Sequence, residues 1–89
     1  MTVNYEKFSE TLKALAHPAR LKMVAGLLKN ECNVAQIQKV LGLPQSTISQ
    51  HLRILKNADI IKGRREGTRT CYRVVDARVR KIVETIKRK

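Results

Sequence analysis

A short polar segment, LPQSTISQHLRIL from Leu43 to Leu55, is rich in side chains that form hydrogen bonds. Its uncharged or weakly basic polar positions are Gln45, Ser46, Thr47, Ser49, Gln50 and His51. Gln pairs in a bidentate way with adenine, and Ser or Thr bonds several base edges or contacts the methyl group of thymine. Arg53 is the only charged residue of the segment. This composition predicts a helix that recognises base edges.

Most of the positive charge lies elsewhere in the chain. The 89 residues include 19 Lys plus Arg against 7 Asp plus Glu, a net charge of +12. Residues 61–89 hold 11 basic and 3 acidic side chains, net +8, whereas residues 31–60 hold 3 and 2, net +1. Phosphate contacts give affinity without sequence information, so a neutral helix flanked by cations is expected of a protein that reads double-stranded DNA.

Other polyanionic partners fit less well. A basic segment that binds a membrane surface needs bulky aromatic side chains, and the chain has only Tyr5, Phe8 and Tyr72. Single-stranded nucleic acid needs a row of aromatics for stacking, which three scattered residues do not supply. No apolar run is long enough to span a bilayer, so a cytoplasmic protein without membrane contact is expected.

The spacing of apolar residues predicts four helices before residue 60. They run from about Val3 to Ala16, from Pro18 to near Asn30, over Val34–Leu41, and from Pro44 to about Ala58. Asn33 and Gln36 have the spacing of an N-cap and its partner. Gly42 is suited to end the third helix in the left-handed region. The third and fourth helices, short and joined by a tight turn, have the pattern of a helix-turn-helix.

The pattern changes to that of a hairpin after Asp59. A strand is predicted from Ile60 to about Arg65, then a two-residue turn at Glu66-Gly67, then a half-buried strand over residues 70–75. Asp76 is placed to cap a last helix. A basic hairpin directly after a helix-turn-helix predicts a winged helix-turn-helix, an α+β fold that is mainly α. Within it, Ile48, Leu52 and Leu55 are expected to pack inward.

The length predicts a single domain over residues 1–89. The first and last helices both carry apolar stripes, and so small a domain has little surface of its own to cover them, which favours a homodimer. The chain has no Gly-rich phosphate loop, no clustered pair of carboxylates and only two separated histidines, so no enzyme activity and no cofactor are expected.

The two cysteines, Cys32 and Cys71, are expected to be free thiols, because two do not make a disulfide framework. A thiol switch remains an alternative, and a disulfide between them requires Cα atoms within about 7 Å. Zn²⁺ takes three or four Cys, His or carboxylate ligands, and His17 and His51 are isolated from these cysteines in sequence, so no metal site is predicted. His17 is expected to play a structural part beside Pro18.

Three stretches together resemble a known family. ALAHPARLKMVAGLL, LPQSTISQHLRILKNADIIKGRREG and TCYRV are similar to the ArsR/SmtB family of bacterial winged helix-turn-helix repressors, over about Leu12 to Val75. The LPQSTISQHL segment is most similar to the PagR-like members, which lack the usual metal ligands.

The resemblance implies a homodimer that is built on the first and last helices and bound to double-stranded DNA. Each subunit would place its recognition helix, residues 45–58, in the major groove of an inverted repeat, with the wing, residues 62–73, on flanking DNA. The DNA-binding residues that it implies are Gln45, Ser46, Thr47, Ser49, Gln50, His51, Arg53, Lys62, Arg64, Arg65 and Arg69. His51 and Ser49 would lie near phosphate.

The chain departs from the family at its metal-sensing positions. The third-helix motif reads roughly ELCVCDL in metal-sensing members, whereas this chain has ECNVAQI, with Asn33 and Ala35 at the ligand positions. The last-helix site needs Asp-x-His, and here Arg78 stands where the His would be. Metal sensing is therefore not expected.

Two functional alternatives stay open beside the sequence-specific repressor. One is a redox-responsive repressor that is switched through Cys32 and Cys71. The other is a non-specific architectural DNA-binding protein that uses its charge alone. The residues identify no small-molecule or protein effector.

Overall fold

The computed structural model describes residues 2–87, which form five helices and one hairpin. The elements are α1 (Tyr5–Leu15), α2 (Pro18–Lys29), α3 (Val34–Leu41), α4 (Gln45–Asn57), β1 (Ile61–Glu66), β2 (Arg69–Val74) and α5 (Ala77–Lys87). This is the predicted order. Of the predicted domain, residues 1, 88 and 89 lie outside the described part.

Local capping sets where most helices begin and end. Asn4 Oδ1 accepts a hydrogen bond from the Lys7 amide at the start of α1, and Asp76 Oδ1 accepts from the amides of Arg78 and Val79 at the start of α5. The predicted Asp76 cap is thus confirmed. The predicted pairing of Asn33 with Gln36 is wrong, because the Asn33 side chain forms no capping hydrogen bond.

The core is organised around α2, which contacts the other four helices and β2. Met23, Val24 and Leu27 of α2 are at most 1% exposed. They pack in one cluster with side chains from α4, the start of the hairpin and α5, namely Ile48, Leu52, Leu55, Ile60, Ile61, Val74, Val79 and Val83. The helix-turn-helix of α3 and α4 therefore packs against α2, which also contacts α1, α5 and β2.

The hairpin is antiparallel, with Ile61 opposite Val74 and Glu66 opposite Arg69. Its two-residue turn is therefore Gly67-Thr68, one position later than predicted, because Glu66 still pairs within the ladder. Gly67 has φ 65°, a left-handed conformation that glycine adopts without steric conflict. No helix within residues 2–87 has the length and apolar character needed to cross a membrane.

Candidate nucleic-acid interface

The outward face of α4 carries a row of polar side chains, of which two are uncharged and one is an arginine. Ser46, Gln50 and Arg53 are spaced i, i+4, i+7, so they follow one another along the same side of the helix, and all three are exposed. Gln45 and Ser49 are also exposed, and Thr47 is half-buried. Six of the seven α4 residues predicted to bind DNA therefore reach the surface of the protein.

The inward face of α4 fixes the orientation of that row. Ile48 and Leu55 have no exposed surface, and Leu52 is 7% exposed, as the apolar spacing predicted. Since these positions lie on the side opposite Ser46, Gln50 and Arg53, burial of one face presents the other to a ligand.

The turn before α4 leaves the first turn of the helix open. Gly42 ends α3 at φ 66°, which confirms the predicted left-handed position, and Gln38 Nε2 donates to the carbonyl of Leu43 at 3.4 Å. Pro44 precedes α4 and has no side chain that could cap it. The N–H groups of the first turn are therefore available to an acceptor such as a phosphate.

His51 is the α4 residue that the structure places differently from the prediction. It is 8% exposed and points toward α2, where Arg20 donates from Nη1 to His51 Nδ1 at 3.1 Å. The ring of His17 lies 4.7 Å from the ring of His51. The expected position of His51 near phosphate is therefore wrong, because position 51 falls on the buried side of the helix.

Arg20 links three helices at this point. Its Nε donates to the carbonyl of Ala14 near the end of α1 at 2.6 Å, while Nη1 reaches α4. Burial lowers the pKa of His51 below its usual value, and the nearby His17 and Arg20 lower it further. The neutral imidazole is the form that accepts from Arg20, because a guanidinium can only donate. Sequence reasoning missed this brace between the recognition helix and the body of the protein.

The wing carries the predicted cations on both of its faces. Lys62, Arg64, Arg65 and Arg69 are all exposed. Residues opposite each other in the hairpin point to the same side, so Lys62, Arg64 and Arg69 share one face and Arg65 lies on the other. Arg64 Nε also pairs with Glu66 Oε2 at 2.7 Å, so part of its charge is compensated.

A groove of about 240 Å³ separates α4 from the wing. Its lining residues are Ser49, Leu52, Arg53, Lys56 and Tyr72. Lys56 is exposed and was not among the predicted site residues. Its position three residues after Arg53 puts it near the same side of α4, so the helix spacing was the signal that could have identified it.

The two cysteines form a disulfide in this structure, and the expectation of free thiols is wrong. Their Cα atoms lie 4.3 Å apart, within the limit of about 7 Å. Cys32 lies in the turn between α2 and α3, and its amide donates to the carbonyl of Tyr72 at 3.1 Å. The sequence separation of 39 between the cysteines kept the contact hidden in the sequence.

The outer surfaces of α1 and α5 stay partly apolar. The exposed large hydrophobic residues include Tyr5 and Leu12 of α1 and Ile86 of α5, at 76%, 42% and 57% exposure. The guanidinium of Arg78 lies 5.5 Å from the ring centre of Phe8, so the start of α5 is adjacent to α1. Both helices therefore leave apolar side chains outside the core.

Comparison with known proteins identifies the family. The sequence profile of the bacterial regulatory proteins of the arsR family matches residues 17–62. The chain belongs to the ArsR family. An uncharacterised HTH-type transcriptional regulator of Methanocaldococcus jannaschii is 45% identical over 83 residues, which are 92% of this chain and 93% of that protein. The transcriptional repressor PagR of Bacillus anthracis is 39% identical over 94% of this chain and 85% of its own length.

Solved structures that are similar to this chain share its architecture. HlyU from Vibrio cholerae superposes with a TM-score of 0.88 at 33% identity, over 99% of this chain and 96% of that one. The homodimeric winged helix-turn-helix DNA-binding domain of Mb0332 from Mycobacterium bovis, described as a possible ArsR-family regulator, gives 0.80 at 30% identity, over 93% and 77%. The predicted family and winged fold are confirmed, and so is the prediction that this ArsR-family chain is a regulator and not an enzyme.

Proposed function

We propose that this ArsR-family protein is a homodimeric regulator that binds specific double-stranded DNA sequences in the cytoplasm. Residues 45–58 would occupy the major groove, and the wing, residues 62–73, would lie on the flanking DNA. The observation that carries the proposal is the exposed row of Ser46, Gln50 and Arg53 on a helix whose other face is buried in the core. Such a row presents hydrogen-bonding groups to base edges at a fixed angle.

The dimer would be formed by α1 and α5. Tyr5, Leu12 and Ile86 leave apolar surface on these helices, and the homodimeric Mycobacterium bovis domain has the same fold. A two-fold dimer presents two recognition helices about 34–36 Å apart, or a multiple of that distance, and therefore matches an inverted repeat. Repression would follow from occupying an operator, and PagR is named as a repressor.

Metal sensing at the family's two positions is not part of the proposal. Asn33 and Ala35 on the third-helix stretch offer no thiolate, and Arg78 on α5 offers no imidazole. Zn²⁺ needs three or four such ligands, so the residues at these positions do not support a Zn²⁺ site.

The test separates base reading from charge. Genomic fragments captured by the purified protein at near-physiological salt supply an operator, and affinities for the operator and a shuffled copy are then compared. Gln50→Ala should lower the ratio of these affinities by about 5- to 150-fold for each subunit of the dimer, since one good base contact contributes about 1–3 kcal/mol of discrimination. Arg65→Ala should weaken both sequences alike and reduce the salt slope by about one for each subunit, about two for the dimer.

Matched controls come from outside the proposed interface. Gln36→Ala removes the same amide from α3, and Lys29→Ala removes an exposed cation at the end of α2. Both should leave the affinity ratio and the salt slope unchanged. If the wild-type protein binds shuffled DNA as tightly as any captured fragment, the chain is an architectural DNA-binding protein and the proposal fails.

The redox-responsive alternative rests on one observation. The Cys32–Cys71 disulfide joins the α2–α3 turn to β2, so its reduction would release a covalent link between the helical body and the wing. A redox-responsive regulator should change its operator affinity on reduction, and Cys32→Ser should hold it in the reduced behaviour. Equal affinity of the oxidised and reduced proteins would remove this alternative.

A further inference from the structure

Three potential metal ligands come together on one face of the wing, beside the α2–α3 turn. The sulfurs of Cys32 and Cys71 and a carboxylate oxygen of Glu66 all lie within 4.8 Å of one another. They come from the α2–α3 turn, β2 and β1. Among residues 2–87 this is the one group of three or more His, Cys, Asp or Glu side chains with such spacing. It uses neither of the family's two metal-sensing positions.

Backbone contacts hold the three segments together independently of the disulfide. The amide of Cys32 donates to the carbonyl of Tyr72, which ties the turn to β2 next to Cys71. The hairpin register places Arg64 opposite Cys71, so Glu66, two residues along β1, points to the same side as Cys71. Reduction of the disulfide therefore leaves two thiols and a carboxylate facing one another.

The local geometry allows the sulfurs to separate. Sulfurs bound to one Zn²⁺ at about 2.3 Å in tetrahedral geometry stand roughly 3.8 Å apart, farther than bonded sulfurs. Cys71 is 2% exposed and lies in a strand, which restricts its side chain. Cys32 is half-buried in a turn, so rotation of its side chain would move its sulfur away from that of Cys71. Glu66 is exposed and has two carboxylate oxygens, one of which faces Arg64.

The chemistry of the group favours a thiophilic divalent cation. Two thiolates and one carboxylate match the ligand types of Zn²⁺, and three protein ligands leave the fourth position for water or an exchangeable ligand. The occupied site would have a net charge of −1 from three anionic ligands and one dication. Arg64, Arg69 and Arg73 lie on the same face of the hairpin and would compensate that charge.

We propose that Cys32, Cys71 and Glu66 of the reduced protein bind one Zn²⁺ ion, at the place where the oxidised protein has its disulfide. Reduction by a water-soluble phosphine converts the disulfide to two thiols, and the phosphine becomes its oxide with an oxygen atom from water. Each thiol releases its proton to the buffer when its sulfur binds the metal. The ion would link the α2–α3 turn to the wing, as the disulfide does.

The experiment uses the full chain without DNA, so it is independent of the proposed function. Phosphine-reduced protein, kept anaerobic, is titrated with Cd²⁺ as a spectroscopic probe, and Zn²⁺ affinity is then measured by competition with a chromophoric chelator. A thiolate-to-Cd²⁺ charge-transfer band should saturate at one ion per chain, and an excess of Zn²⁺ should decrease it by competition. Unreduced protein should show no band.

The variants assign the ligands. Cys32→Ser, in a turn that the backbone hydrogen bond from Cys32 to Tyr72 also holds, should weaken Zn²⁺ binding at least a hundredfold, and Glu66→Gln at least tenfold. Glu84→Gln, an exposed carboxylate on α5, is the matched control and should have no effect. Absence of saturable binding, or wild-type affinity in Cys32→Ser, overturns the site. Wild-type affinity in Glu66→Gln overturns the three-ligand set.

Discussion

α4 and the wing are neighbours, but α4 is fixed by burial in the core and the wing is mostly exposed. α4 buries Ile48, Leu55 and most of Leu52 in the core, and the Arg20 brace holds its middle. Most of the wing is exposed or half-buried, and only Ile61, Cys71 and Val74 of its strands are buried. In the proposed function, α4 reads bases and needs a fixed orientation, which its burial supplies. The wing cations contact phosphate and need exposure to solvent.

The difference between α4 and the wing should be largest in stability, when a core side chain of α4 is removed. Leu55→Ala leaves a cavity at a position without exposed surface, and the free energy of unfolding should fall by about 2–5 kcal/mol. Arg65→Ala on the wing should change it by less than about 0.5 kcal/mol. Chemical denaturation of both variants checks the difference, and equal effects would mean that the wing is as integral to the core as the helix.

Reducing the disulfide should affect stability next most strongly. The bridge closes a loop with a sequence separation of 39, for which the chain-entropy estimate is about 3–4 kcal/mol. Denaturation of the oxidised and reduced proteins, with a chelator present, measures this contribution. Cys32→Ser should behave as the reduced wild type and be insensitive to reductant. A loss below about 1 kcal/mol would show that the backbone contacts alone hold the wing.

Breaking the brace should have a smaller effect on stability and a specific one on the helix. Arg20→Ala removes two hydrogen bonds from a charged donor and leaves His51 without its partner, so a loss of about 1.5–3 kcal/mol is expected. Lys22→Ala, an exposed cation on the same helix, is the control and should be nearly neutral. Denaturation checks the stability, and a shift of α4 amide signals in nuclear magnetic resonance spectra would show the loss of positioning.

Acidification should have the smallest effect on stability, and it should act through His51 of α4 and not through the wing. The pKa of folded His51 is lowered, mainly by burial, so the unfolded chain binds more protons near and below pH 6.5. Stability should therefore fall as the pH drops from about 7 toward the lowered pKa, because the charged ring cannot accept from Arg20. His51→Gln should flatten this dependence in denaturation curves measured across that range. An unchanged slope in the variant would assign the dependence to other groups.

Much of the fold followed from local signals in the sequence. The apolar spacing of Ile48, Leu52 and Leu55 predicted which face of α4 is buried, Gly42 predicted the end of α3, and Asp76 predicted the start of α5. Each depends on residues within one or two helical turns, where spacing and capping chemistry decide the outcome. Two local predictions were wrong. The Asn33 side chain forms no capping hydrogen bond. The hairpin turn lies one residue later than predicted because the strand pairing extends to Glu66.

The candidate site was predictable in part for the same reason. The composition and spacing of LPQSTISQHLRIL were sufficient to indicate an exposed polar row, and the charge distribution was sufficient to indicate a cationic wing. His51 was assigned to the wrong face because its polar character suggested exposure, whereas its helical position, three residues after Ile48 and four before Leu55, put it on the buried side.

The sequence by itself determined the helix-turn-helix, the wing and the separation of neutral from cationic side chains, since periodicity, turn residues and charge are local properties. Only the tertiary structure decided that Arg20 meets His51, 31 positions away, and that Cys32 meets Cys71 and Glu66. Such contacts depend on how α2 packs against α4 and on how the α2–α3 turn aligns with β2. No local pattern specifies them, because they arise from the packing of whole elements around a shared core.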